Sequence, residues 1–271
     1  EFVARVGQYM EKATREAKVH TSWINPDEEY DQGLQAFVRA ILRRGAGNAF
    51  MEDFRALQPV VARMGMLNAL SQTLVKLAAP GVPDVYQGQE LWDFSLVDPD
   101  NRRPVDYALR RETLAALRRD LEERDPAAVA RELMDAWEDG RAKMFLTHRA
   151  LLLREALPDL FRDGEYVPLA SAGEAVGHLL AFARRGAGST VVAVVPRLAA
   201  ALMRGHDFAL PTAGTWKNTW VEGSADVLSG RFRNVLTGEV VESSPRGALA
   251  GLRADELFAS FPVALLEKVE D

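Results

Sequence analysis

Apolar residues recur at helical spacing through the first part of the chain. Phe2, Val6, Tyr9, Met10 and Ala13 predict a helix over residues 2–17. Thr21-Ser22-Trp23 and Asn25-Pro26 then mark a loop over residues 18–26. Asp27 can cap a second helix reaching about Leu42, with Tyr30, Leu34, Phe37, Val38 and Ile41 on one face. A third periodic stretch runs from Phe50 through Phe54, Leu57, Val61, Met64, Leu67, Leu74 and Leu77, and Pro59 is expected to break or kink it early. Pro80-Gly81 closes it, and residues 82–86 read as a short apolar strand. Three further helices are predicted over residues 107–123, 127–137 and 141–157.

The period changes from Tyr166. Residues 178–184, 190–196, 231–236 and 239–241 read as strands bounded by glycine turns, with Thr237-Gly238 a hairpin corner. The chain therefore divides near residue 160: a helical segment with one buried strand over residues 1–160, then an antiparallel β domain over residues 161–271. The expected class is α/β plus all-β. No internal repeat is visible.

Composition narrows the function. A hydrophobic content of 48% supports a sizeable core, and a net charge of -6 gives no basic footprint for nucleic acid. Arg110-Arg111 and Arg118-Arg119 read as solvated helix faces. No apolar run approaches the roughly 18 residues of a membrane-spanning helix, so no membrane partner is expected. The absence of cysteine excludes disulfides and thiolate metal sites and fits a cytoplasmic location. The four histidines share no ligand spacing, and the acidic run from Asp98 to Asp106 lacks the glycine-centred pattern of a calcium loop. No metal and no cofactor are expected.

Candidate chemistry concentrates after the predicted strand. Tyr86, Glu90, Trp92, Asp93, Asp98, Arg102 and Arg103 bring carboxylates, guanidiniums and aromatic faces into one loop. Such a mixture suits a sugar, whose ring faces pack on aromatics and whose hydroxyls take fork-shaped donors and carboxylate acceptors. Asp98, Asp100, Arg102 and Arg103 could equally pin the loop through internal ion pairs, and Glu90 could be structural instead of an acid or base. Lys18, His20 and Trp23 form a second candidate cluster. In the β domain Trp216 and Trp220 could make a carbohydrate platform or pack in the core.

The run Gly81-Val82-Pro83-Asp84-Val85-Tyr86-Gln87-Gly88-Gln89-Glu90, continuing through Leu91-Trp92-Asp93-Phe94-Ser95-Leu96-Val97-Asp98-Pro99-Asp100-Asn101-Arg102-Arg103-Pro104-Val105-Asp106, resembles the C-terminal portion of the maltooligosyltrehalose synthases. These are members of the α-amylase family of glycoside hydrolases. The segment from Arg15 to Trp23, Asn234-Val235-Leu236-Thr237-Gly238-Glu239 and Phe261-Pro262-Val263-Ala264-Leu265-Leu266 share the likeness, which covers nearly the whole chain. The resemblance implies the last strand and helices of a (β/α)8 TIM barrel with helical additions, followed by an antiparallel β-sandwich. It also implies conversion of the reducing-end α-1,4 bond of a malto-oligosaccharide into an α-1,1 bond. That reaction runs through a covalent glycosyl-enzyme and needs two carboxyls about 5 to 5.5 Å apart.

In that family the catalytic carboxylates sit on earlier barrel strands, one of them in a His-Asp-Thr-Lys-like motif. No such motif occurs here, since His20 precedes Thr21, His148 precedes Arg149, His178 precedes Leu179, and His206-Asp207 continues as Phe208-Ala209. The chain is thus expected to hold no catalytic residue, to be inactive alone, and to work with the N-terminal remainder of the same enzyme on a malto-oligosaccharide. It begins at Glu1 as if cut from something longer, and an open barrel would expose apolar faces to a second polypeptide or to self-association. The competing expectations are a non-catalytic carbohydrate-binding or scaffold module and another amylase-type glycosidase.

Overall fold

The computed structural model describes residues 1–186, 188–203, 211 and 213–269. They fall into two compact units, Glu1–Val61 with Asp93–Val105, and Ala62–Trp92 with Asp106 onward.

In the first unit α1 (Phe2–Ala17) and α2 (Glu28–Ile41) lie against each other. The Asp27 carboxylate accepts a hydrogen bond from the Tyr30 amide, satisfying one of the donors a helix start leaves open. The helices meet at Gly7, whose carbonyl accepts from Gln35 Nε2 at 2.8 Å. A Cβ there would stand 2.6 Å from Gln35 Oε1, so the approach needs glycine. Helix α3 (Ala49–Ala78) runs thirty residues through Pro59. The helix is not broken there: the lost backbone bond and the ring's crowding of the preceding turn are carried by the flanking turns. Phe50, Phe54, Leu57 and Val61 form an exposed stripe on its first half, with the two phenylalanine rings stacked at 6.1 Å.

The second unit holds the rest of α3 with α4 (Tyr107–Glu123), α5 (Pro126–Asp135), α6 (Arg141–Ala156) and α7 (Pro158–Asp163). Asp106 and Asp125 cap α4 and α5 through the amides of Leu109 and Ala128. Nine strands follow: β1 (Glu165–Gly173), β2 (Leu179–Gly186), β3 (Ser189–Pro196), β4 (Thr219–Ser224), β5 (Arg231–Asn234), β6 (Val240–Glu242), β7 (Ser244–Arg246), β8 (Leu249–Arg253) and β9 (Ala264–Val269). Their order is β6-β5-β9-β3-β2-β1-β4-β8-β7, with every neighbour antiparallel.

Period-two alternation splits β3 between two cores. Val191, Ala193 and Val195 join the helices in a cluster where Phe145 meets Phe261 edge-on at 5.3 Å. Val192 and Val194 face the second cluster with Trp216, Phe232, Leu252 and Leu266. Both faces of β3 are buried, which explains its unbroken apolar run. Arg184 on β2 is also buried, its Nη1 and Nη2 donating to the carbonyls of Ala78, Leu160, Phe161 and Gly164 at 2.9–3.4 Å, while its Nε has no partner among the described residues. Three of these carbonyls belong to the last turns of α3 and α7, where the negative end of the helix dipole lies.

Two expectations are corrected. Residues 82–86 form no strand: they are irregular, and Val82 is 97% exposed. A strand exists only where a neighbour completes its ladder, and among the described residues none pairs with this segment, which also lacks the amide of Pro83. The expected β-sandwich is instead one nearly closed sheet, because β1 belongs to both halves: residues 165–169 pair with β2 and residues 170–173 with β4.

Candidate functional site

The predicted site residues are distributed over both units. In the first, the loop over residues 93–105 is held by α1. Arg5 makes paired hydrogen bonds to Asp100, whose backbone continues as a single 3-10 turn, Asp100–Arg102. The same carboxylate accepts from the Leu96 amide at 2.6 Å and lies 3.3 Å from Arg103 Nε. These donors, the Arg5 guanidinium foremost, hold the Asp100 carboxyl down at about 2. Lys12 donates to the Asp98 carbonyl at 2.6 Å and reaches its carboxylate at 3.3 Å, and Arg102 pairs with the other oxygen of Asp98. Asp93 accepts from the Ser95 amide at 2.9 Å, closing a turn on itself. Arg103 donates to the Asp100 carbonyl and to Ser95 Oγ.

The Lys18, His20 and Trp23 cluster lies at the end of α1. Lys18 occupies the left-handed position that terminates the helix, with φ 58°. His20 stacks on Tyr30 at 5.0 Å, and Trp23 lies 4.9 Å from the Arg15 guanidinium, which Asp31 and Glu11 hold by ion pairs. Trp23 keeps more than half of its surface open.

In the second unit Tyr86 stands partly exposed before a turn at Gly88, whose φ of 86° suits glycine. Glu90 Oε2 accepts from Arg110 Nε at 2.9 Å. Arg110 also donates from Nη2 to the Gly88 carbonyl at 2.6 Å and from Nη1 to the Asp106 carbonyl at 3.1 Å. Trp92 donates its indole N–H to the Trp137 carbonyl at 2.7 Å and packs on the helical core. A cleft of about 240 Å³ opens beside Glu90, lined by Tyr107, Arg110, Leu114, Met144 and His148 among others. Burial, reinforced by Arg118 and Arg149, holds His148 below the ordinary imidazole value.

Glu90, Asp98 and Asp100 are therefore each tied to a cation. Within each unit these residues carry hydrogen-bonding edges and aromatic faces of the kind a polyhydroxyl ligand takes. Sequence reading missed Arg110, which it placed on a solvated face. The only available signal was its position in the first turn after the capping Asp106, within reach of the preceding loop. Among the described residues no group of three or more His, Asp or Glu could hold a metal ion, and no helix is long and apolar enough to cross a membrane.

The tryptophan platform in the β domain does not exist. Trp216 is fully buried against Phe258 at 4.8 Å, so it has no face to offer a sugar. Trp220 has the guanidinium of Arg246 at 4.6 Å and that of Arg253 at 5.7 Å from its ring.

Comparison with known proteins gives a consistent set of relatives, although no family model matches the chain. A putative maltooligosyl trehalose synthase of Mycobacterium tuberculosis is 33% identical over 262 residues, covering 97% of this chain and 28% of that protein. The structure of maltooligosyltrehalose synthase from Arthrobacter ramosus superposes with a TM-score of 0.73 at 33% identity, over 98% of this chain and 30% of that one. Another maltooligosyl trehalose synthase structure gives 0.67 at 26% identity, over 99% and 30%. The chain thus spans less than a third of the length of the relatives it matches.

Proposed function

Since the chain belongs to the maltooligosyltrehalose synthase family and matches its C-terminal portion, we propose that it is the C-terminal part of such an enzyme, converting the reducing-end α-1,4 bond of a malto-oligosaccharide into an α-1,1 bond. The observation that carries this reading is the likeness in sequence and fold along nearly the whole chain. The residue set supports it: Tyr86, Trp23 and the loop over residues 93–105 supply aromatic faces and hydrogen-bonding edges for a sugar.

In this reading residues 1–160 complete the catalytic barrel and residues 161–271 form the terminal β domain, in the cytoplasm. Substrate-facing groups come from Lys18, His20, Trp23, Tyr86, Glu90, Trp92, Asp93, Asp98, Arg102 and Arg103. The nucleophile and the acid/base, about 5 to 5.5 Å apart for a retaining reaction, are contributed by the N-terminal remainder of the enzyme. The commitment of Asp98 and Asp100 to cations supports that division of labour. Alone, the 271-residue chain is inactive.

The test is incubation of maltopentaose with the complete synthase polypeptide that carries this chain, and separately with the chain alone. The expected result is loss of reducing ends with a trehalose-capped product from the first and no change from the second. Release of free glucose as the main product of the complete polypeptide would mean an ordinary amylase-type hydrolase.

A further inference from the structure

Arg110 is one turn into α4, and its side chain is only 17% exposed. Its three nitrogens reach three acceptors: Glu90 Oε2 at 2.9 Å, the Gly88 carbonyl at 2.6 Å and the Asp106 carbonyl at 3.1 Å. The first two belong to the loop that follows Tyr86, and the third is the residue capping the helix on which Arg110 sits. One rigid, planar fork therefore fixes the loop to the start of α4, where a lysine could satisfy one acceptor well. The loop is fixed again further along: Lys143 on α6 donates to the Leu91 carbonyl at 3.3 Å, and the Trp92 indole bonds the Trp137 carbonyl.

From this geometry we propose that Arg110 is a positioning residue of the synthase reaction, holding the Tyr86–Glu90 segment against the sugar, and that Glu90 is its anchor and not a proton donor or acceptor. The inference rests on the family reading above. Glu90 is bound through its carboxylate to the guanidinium, which occupies the oxygen that a proton transfer to the sugar would use. A sugar pressed on Tyr86 depends on where Arg110 sets the backbone, and misplacement of about 1 Å can cost on the order of 100-fold in rate. It also opens the glycosyl-enzyme to water, which diverts turnover from the α-1,1 product to glucose.

The experiment compares Arg110→Ala, Arg110→Lys and Glu90→Gln in the complete synthase polypeptide carrying this chain. Trehalose-capped product, glucose release and melting temperature are measured together, with hydrogen exchange of residues 86–92 followed in the 271-residue chain. Arg110→Ala is expected to raise KM for maltopentaose about 10-fold or more and to increase the glucose fraction while the fold remains intact. Arg110→Lys recovers part of both, and exchange over residues 86–92 quickens in Arg110→Ala. Glu90→Gln should lower kcat by less than about 10-fold, whereas loss of a proton-transfer group costs about 100- to 10,000-fold. A loss of that size in Glu90→Gln with KM unchanged overturns the proposal. So does an Arg110→Ala variant whose product ratio and exchange match the parent. A parent polypeptide that makes no α-1,1 product sinks the family reading instead, and the exchange measurement still decides whether Arg110 holds the loop.

Discussion

Arg5 grips Asp100 with two parallel hydrogen bonds, 2.7 Å from Nε to Oδ1 and 2.8 Å from Nη2 to Oδ2, joining the first turns of α1 to the loop over residues 93–105. The fork-on-carboxylate geometry fixes direction as well as distance. The Asp100 side chain is nearly closed to solvent, at 8% exposure. The loop over residues 93–105 is thereby latched to a helix far away in sequence.

The latch has a pH signature. The Asp100 carboxyl titrates at about 2 in the folded chain, against an ordinary value of 3.8. A carboxyl lowered on folding stabilises the fold at every pH above its ordinary value, and that stabilisation disappears as pH falls from about 4 towards 2. Asp100→Asn is expected to lower the melting temperature by about 2–4 °C at pH 7. The gap between variant and parent should close in melting curves recorded from pH 5 down to pH 2.

Among the described residues Arg184 carries no carboxylate partner; its Nη atoms donate to carbonyls at and just beyond the ends of α3 and α7. Arg184→Met strands those carbonyls in a dry site and is expected to cost about 3 kcal/mol, read as a lower denaturant midpoint. A fully stable Arg184→Met would mean that water replaces the guanidinium.

The two tryptophans of the β domain should separate cleanly. Trp216→Ala opens a large hole beside Phe258 and is expected to cost about 3–5 kcal/mol. Trp220→Ala removes ring–guanidinium contacts and the exposed indole hydrogen bond to Asn218 Oδ1, and is expected to cost about 1 kcal/mol. Urea titrations of both variants decide it, and equal losses would contradict the burial of Trp216.

Gly140 stands between the short turn after α5 and α6 with φ 83°, and a Cβ there would meet the Trp92 amide nitrogen at 2.9 Å. Gly140→Ala is thus strained twice, by its backbone and by its neighbour. A loss of about 1–3 kcal/mol is expected in thermal unfolding, with faster exchange at Trp92.

Much of the helical half could be read in advance because each helix carries its own instructions. Asp27 caps α2 as expected, and α1 and α4 end where their periodicity ends. Residues 82–86 misled because an apolar run describes a strand's faces and says nothing about its hydrogen-bonding edges. β7, with Pro245, and β1, with Pro168 among small residues, escaped for the opposite reason: their pairing partners define them more than their composition. The candidate loop was visible as a concentration of polar and aromatic residues. That its carboxylates are bound to Arg5, Lys12 and Arg110 was not, since each of these partners is remote in sequence.

The place of β9 in the sheet governs the order in which this half can be assembled. β9 pairs with β3 through Val191 and Glu267 and with β5 through Phe232 and Lys268, so β5 and β6 reach the remaining strands only through it. A ribosome delivers β1 to β6 well before residues 264–269 emerge. Until then Phe232 and Val192, which end in the same core, have nothing between them, and the nascent chain exposes a bare central edge. Closure of the β half is therefore a late event in synthesis, and a message cut short before residue 264 yields a sheet in two unconnected pieces.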